Sequence, residues 1–239
     1  MAENRSTFEF KQFSLDHGNP GLKISTEACL FGAWASLNAR DSCLDIGTGC
    51  GLLASMMAQA NTACRVKALE IHPEVALVAS ENFEKSPFNE RLQVIQSDIN
   101  AYDPDIKFDF ICSNPPFFTN HLAATDPARH MAIHADHLSP ADLANSIDRL
   151  LGTEGEFTVL YPADVLDLFE QSLENVGLYI NEKVHVLSKP DSPVLRVMAR
   201  GSRIEKLPEE RSLSIKNEQG EYSPEFIELL RPYYIIFPS

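Results

Sequence analysis

The chain has 239 residues, with 20 Lys and Arg against 34 Asp and Glu and a formal net charge of −14. A content of 44% hydrophobic and 23% charged residues argues against a disordered chain and leaves room for a large buried core. An acidic protein repels phosphate at long range, so the bulk charge gives no hint of a nucleic-acid partner.

The five cysteines (Cys29, Cys43, Cys50, Cys64, Cys112) are odd in number and form no C-x-x-C pair. That disfavours a disulfide framework or a cysteine zinc site and points to a reduced, cytoplasmic compartment. Residues 1–12 are polar and unlike a targeting segment, and no stretch approaches the roughly 18 apolar residues of a membrane span.

In chain order, residues 25–39 place Leu30, Ala33, Trp34 and Leu37 at helical spacing, with Ser25 or Thr26 able to cap the start. Residues 42–46 form a short apolar run closed by Gly47, a predicted buried strand, and residues 52–60 follow as a helix. Residues 65–71 read as a strand. Pro73 takes the favoured first position of a helix reaching Lys85. Residues 92–96 and 108–112 read as strands, 140–151 as a helix capped by Ser139, 156–161 as a strand and 163–175 as a helix. Residues 179–187 and 194–199 alternate like paired strands around Pro190 and Pro193. The pattern predicts an α/β fold. Its sheet is Rossmann-like, mostly parallel and twisted, with an antiparallel edge strand and helices on both faces. Residues 119–138 carry no element, a length that marks a functional loop or a missed helix.

The first motif, Asp45-Ile46-Gly47-Thr48-Gly49-Cys50-Gly51, closes a predicted strand and opens a helix. Glycines there permit a tight turn and let backbone N–H groups approach a ligand. The spacing differs from the dinucleotide G-x-G-x-x-G, and Leu52 and Leu53 stand where a P-loop needs Lys and Ser/Thr. Glu70 ends the next strand, where an acceptor-only carboxylate can receive both hydroxyls of a ribose. Asp98, after the third strand, serves two readings equally: a ligand contact or the cap of a turn over residues 99–103. Asn114-Pro115-Pro116-Phe117 follows the fourth strand. Consecutive prolines stiffen the backbone and present carbonyls without competing donors. Asn114 adds a side-chain acceptor and Phe117 a flat face, a combination suited to a planar substrate bearing an NH₂ group.

D-x-G-x-G-x-G resembles the first motif of the class I S-adenosylmethionine-dependent methyltransferases. Together with N-P-P-F it resembles their amino-methylating branch, which modifies N6 of adenine, N4 of cytosine, N2 of guanine or a glutamine amide. The resemblance implies S-adenosylmethionine as cofactor, held by Asp45, Gly47, Gly49, Gly51, Glu70, Ile71, Asp98, Ile99 and Asn114. In it Ile71 packs on the adenine ring and Asp98 binds the adenine amino group. It implies Asn114, Pro115, Pro116 and Phe117 as the catalytic set.

The leader narrows the choice. Phe8-Glu9-Phe10-Lys11-Gln12-Phe13, His17, residues 23–27 (KISTE) and residues 30–35 (LFGAWA) resemble the bacterial tRNA1(Val) adenine-N6 methyltransferases, as do Ala128-Arg129-His130 and Leu138-Ser139. Glu27 stands where aspartate is common in that family, and Phe117 where many members have tyrosine. The resemblance implies a tRNA substrate. Lys11, Lys23, Arg129 and His130 are the candidate contacts. Residues 181–216 hold eight Lys/Arg and five Asp/Glu against 7 and 21 in residues 41–180. Lys183, Lys189, Arg196, Arg200, Arg203 and Lys206 are therefore expected to form part of a basic face. Residues 1–40 are expected to complete the substrate and cofactor side of a methyltransferase domain spanning residues 41–239. A protein-glutamine methyltransferase and a non-catalytic module that binds S-adenosylmethionine and RNA remain as alternatives.

His130, His134 and His137 fall at i, i+4 and i+7, yet no cysteine joins them and neither H-E-x-x-H nor a deaminase signature occurs. No metal and no membrane contact are expected, and a monomer is the default.

Overall fold

The computed structural model describes residues 7–17, 24–115 and 138–238. Two short strands, β1 (Thr7–Glu9) and β2 (Ser14–Asp16), make a leader hairpin with Phe8 opposite Leu15. Helix α1 (Thr26–Ser36) starts at Ser25, whose side chain accepts from the Ala28 N–H. Then come β3 (Ser42–Ile46), α2 (Leu52–Ala60), β4 (Arg65–Glu70), α3 (Pro73–Lys85), β5 (Leu92–Gln96) and β6 (Phe108–Ser113). Helix α4 (Pro140–Leu150), capped by Ser139, leads into β7 (Leu151–Tyr161), α5 (Ala163–Glu174), β8 (Tyr179–Leu187), β9 (Val194–Ser202), β10 (Glu209–Ser214) and α6 (Pro224–Leu230).

The eight-stranded sheet has the order β10-β8-β9-β7-β6-β3-β4-β5. Strand β9 is antiparallel to both β7 and β8, while β10 runs parallel to β8. The fold is the mostly parallel, Rossmann-like one, but the reversed strand lies inside the sheet and not at its edge. Its side chains explain the position: Val197, Met198 and Ala199 are all buried, Met198 on one face and its two neighbours on the other. An edge strand would leave such a run half solvated. The edge belongs to β10, in which only Leu213 is buried.

Sheet residues alternate between two cores, as the period of a strand requires. Cys43, Val66, Phe110 and Leu160 face α1, α2, α6 and the leader hairpin, whereas Leu44, Leu69, Ile111 and Val159 face α4 and α5. Helix α1 is buried from Ala28 to Ser36. Gly32 permits that packing, because a Cβ there would lie 2.5 Å from Sδ of Met56 on α2.

The leader closes on the other end of the chain. The Lys11 N–H donates to the Tyr233 carbonyl at 2.8 Å, and Lys11 Nζ to the Arg231 carbonyl at 2.7 Å. Phe10 stacks on Phe13 with centroids 4.5 Å apart and meets Tyr234 at 6.2 Å. All five cysteines are buried free thiols, with the Cys43 and Cys64 sulfurs 3.3 Å apart. Among the described residues no helix is long and apolar enough to cross a membrane.

Candidate active site

The order β6-β3-β4-β5 sets four segments side by side at the C-terminal edge of the sheet. These are Asn114-Pro115 after β6, the glycine turn after β3, Glu70-Ile71 at the end of β4, and Asp98-Ile99 after β5. Strands about 4.8 Å apart make this row roughly 15 Å long, the scale of one nucleoside carrying an amino-acid tail.

The glycine turn is held in a shape that only glycine adopts easily. Gly47, Gly49 and Gly51 have φ of 74°, 59° and 90°. The Gly47 and Thr48 N–H groups both donate to the Leu69 carbonyl at 2.9 Å, locking the turn to β4. At Gly51 a Cβ would sit 2.4 Å from the Phe83 ring, while the space beside Gly47 is open.

Asp45 is fully buried at the end of β3. Its Oδ2 accepts from Thr48 Oγ1 at 2.7 Å and from the Ala54 N–H at 3.2 Å. Oδ1 is buried with no partner among the described residues. Burial pushes the carboxyl up to about 7; the bonds from Thr48 and Ala54 oppose the rise, and the nearby Glu70 charge adds to it. Glu70 is 7% exposed. Its Oε2 accepts from the Gly49 N–H and its Oε1 from the His72 N–H, both at 3.1 Å, so one carboxylate ties the turn after β3 to the turn after β4. Each oxygen keeps acceptor capacity beyond that bond.

Ile71 is 45% exposed, an apolar side chain left open at the sheet edge. Asp98 is exposed and its Oδ1 accepts from the Asn100 N–H at 2.9 Å, so it caps the turn. Ile99 buries its side chain in the core under α4, and its carbonyl accepts from Arg149 Nη2 at 2.7 Å. What Ile99 offers the row is therefore backbone. Ser113 Oγ donates to the Ile46 carbonyl at 2.9 Å, pinning the end of β6 against the end of β3. That brings half-buried Asn114 and buried Pro115 beside the glycine turn.

Pro116, Phe117, Lys23, Arg129 and His130 lie outside the described residues, as do His134 and His137. Among the described residues no cluster of three His, Cys, Asp or Glu side chains is placed to hold a metal. The row does fit S-adenosylmethionine. The positive-φ turn leaves open space at Gly47, Glu70 keeps acceptor capacity for a ribose, and Ile71 offers an exposed apolar face.

Several residues of the expected basic face have carboxylate partners. Strand β9 runs backwards, so Arg200 lies level with Thr158 and, through β6, with Asp45, while Arg203 lies beyond Ser202 toward the start of β7. Arg200 bonds Asn38 and Glu182 and lies over the Trp34 ring, 5.9 Å from its centroid. Arg203 bonds Asp148 Oδ1 at 2.6 Å and the Asp148 carbonyl at 2.8 Å, and Lys183 bonds Glu170 at 2.8 Å. Lys11 is spent on the C-terminal clasp.

Sequence reasoning missed Thr48, the His72 N–H, Arg149 and Asn82. Thr48 stood inside the glycine motif, and its hydroxyl was a legible partner for Asp45 three residues earlier. The His72 N–H stood two residues from Glu70 and was as local, whereas Arg149 and Asn82 act across long sequence separations that no local pattern reports.

The family described as Methyltransferase small domain matches residues 30–141. A tRNA1(Val) (adenine(37)-N6)-methyltransferase of Bacteroides fragilis is 37% identical over 231 residues, covering 95% of this chain and 97% of the relative. One from Dyadobacter fermentans is 35% identical over 234 residues, covering 96% and 98%. Among solved structures, a predicted O-methyltransferase of Agrobacterium tumefaciens superposes with a TM-score of 0.68 at 15% identity, covering 85% of this chain and 95% of that one. A glycopeptide N-methyltransferase complexed with S-adenosyl-L-homocysteine has a TM-score of 0.54 at 14% identity, covering 78% and 90%. Both structures show the fold alone. Identity above one third over nearly the whole of both chains shows the rest: the chain belongs to the tRNA1(Val) (adenine(37)-N6)-methyltransferase family.

Proposed function

We propose that this chain transfers a methyl group from S-adenosylmethionine to N6 of an adenosine in tRNA, the position-37 adenosine of tRNA1(Val) for which its relatives are named. The observation that carries the reading is the row itself, which sets Asn114-Pro115 beside a glycine turn built around buried acceptors.

Asp45, the glycine turn and Glu70 would hold the cofactor, with Ile71 as an apolar face for its adenine. Bound there, S-adenosylmethionine supplies an electrophilic methyl group on a cationic sulfur. The Asn114 side-chain carbonyl and the Pro115 carbonyl accept the hydrogens of the N6 amine and aim its lone pair. The amine becomes cationic as the methyl arrives, so these acceptors bind the transition state more tightly than the ground state. Phe117 stacks on the base. The surplus proton leaves to water, and the neutral thioether leaving group requires no metal. A base in an anticodon loop is already unpaired, which makes its entry into a pocket cheap. Residues 1–40 complete the substrate side, and the five free thiols suit a cytoplasmic setting.

The deciding assay offers total tRNA, purified tRNA1(Val) and a release-factor protein as methyl acceptors. N6-methyladenosine in tRNA1(Val) is the expected product, and label on a glutamine of the protein overturns the reading. Asn114→Ala should lower turnover by roughly 10²-fold or more, by analogy with deleting one oxyanion-hole donor, with a smaller change in cofactor affinity. Near-normal turnover would sink the mechanism.

A further inference from the structure

Helix α3 buries one stripe, Ala76, Ala79, Asn82 and Phe83. Asn82 is its one polar member and is 2% exposed. Burying an amide in an apolar stripe costs free energy unless its donors and acceptor are bonded. Here they are, and the partners come from two distant segments. Nδ2 donates to the Cys50 carbonyl at 2.8 Å and to the Asp16 carbonyl at 3.0 Å. Oδ1 accepts from the Asp16 N–H at 2.9 Å. The exchange with Asp16 copies the paired bonds between two antiparallel strands. Cys50 stands between Gly49 and Gly51, and the next helix residue, Phe83, is the ring that fills the space at Gly51. Adjacent side chains of α3 thus grip the glycine turn, and one of them also grips the last residue of the leader hairpin.

We propose that Asn82 is a positioning residue that couples the leader hairpin to the glycine turn, so that affinity for S-adenosylmethionine depends on how the leader is seated. The proposal rests on the cofactor reading above. Linkage makes it reciprocal: whatever substrate contact steadies the leader strengthens cofactor binding by the same factor, and the cofactor steadies the leader in return.

A double-mutant cycle tests it. Phe13 holds the hairpin through its rings, stacked on Phe10 and edge-on to Phe88 at 6.2 Å. S-adenosylmethionine binding is measured by calorimetry for the wild type, Asn82→Ala, Phe13→Leu and the double variant. Each single substitution should weaken binding about fivefold, the scale of one net hydrogen bond, and the double variant should be no weaker than Asn82→Ala. Multiplying effects, or a single variant with unchanged affinity, overturn the coupling. Hydrogen exchange of the Gly49 and Gly51 amides in Phe13→Leu supplies a readout that needs no change at Asn82. Faster exchange at the turn is expected, and wild-type exchange overturns the proposal. A wild-type chain that binds no S-adenosylmethionine removes the cofactor reading and the coupling together. Cofactor binding with independent substitution effects removes only the coupling.

Discussion

Asp45 holds its proton to about pH 7, where an ordinary aspartate has released it near 3.8. Between those values the folded chain binds a proton that the unfolded chain has lost. The contribution of Asp45 to stability therefore falls as pH rises from about 4 to about 7, by up to about 1.4 kcal/mol per pH unit, and levels off above. Asp45→Asn, neutral at every pH, should flatten that part of the curve. Denaturant midpoints of both proteins across this range check it, and parallel curves would show that Asp45 ionises normally. Glu70 acts through bonds to two backbone N–H groups. Glu70→Ala should weaken S-adenosylmethionine by about 1.5–3 kcal/mol, and unchanged affinity by calorimetry would take Glu70 out of the site. Both carboxylates were legible because each ends an apolar run before a turn. Asp98 offered two roles in the sequence, and the bond from Asn100 supplies the capping one. Asn82 was illegible: in the sequence it is one polar residue in a helix, with nothing local to mark it as buried.

Elements with an apolar run and a clear stop were read closely. Leu52–Ala60, Pro73–Lys85 and Leu92–Gln96 are bounded by Gly, Pro or turn residues, and the structure keeps those limits. The first five residues of β7 were missed because Gly152, Thr153, Glu154 and Gly155 break the apolar alternation; that stretch holds onto β6 across an irregular register. Strand β10 was missed because an edge strand with one buried residue has no periodicity to detect. The glycine turn gives a graded prediction. Gly47→Ala meets backbone strain alone, with φ 74° and no atom within 4 Å, and should cost about 1–2 kcal/mol. Gly51→Ala adds a Cβ at 2.4 Å from the Phe83 ring and should cost clearly more, as well as disturbing the turn. Thermal melts of the two variants rank them, and an equal loss would mean that Phe83 moves aside freely.

At the scale of the whole molecule, four of the eight Lys and Arg of residues 181–216 stand in ion pairs. Arg200 meets Glu182, Arg203 meets Asp148, Lys183 meets Glu170 and Arg211 meets Glu225. Counting charge along the chain could not reveal this, because the partners lie on other elements of the fold. Each phosphate contact adds about 0.7–0.9 to the salt slope of log K. For Arg200→Ala/Arg203→Ala, tRNA binding across a salt series should therefore keep the wild-type slope, while each broken pair costs about 1 kcal/mol or less of stability. A shallower slope would return the tRNA to that face. Lys189, in the turn from β8 to β9, stands instead at the end of the sheet that carries the row.

The clasp between Lys11 and residues 231–233 spans 220 positions of sequence. During synthesis at about 5–20 residues per second, the leader leaves the ribosome some 10–45 s before the carbonyls it must meet. Its phenylalanines spend that interval without their aromatic partner Tyr234, in reach of chaperones or of other nascent chains. A ribosome stalled short of α6 would thus hold a hairpin that can reach Asn82 and Phe88 but lacks its clasp to residues 231–233. Completing the last turn of the chain adds the second of the leader's two anchors.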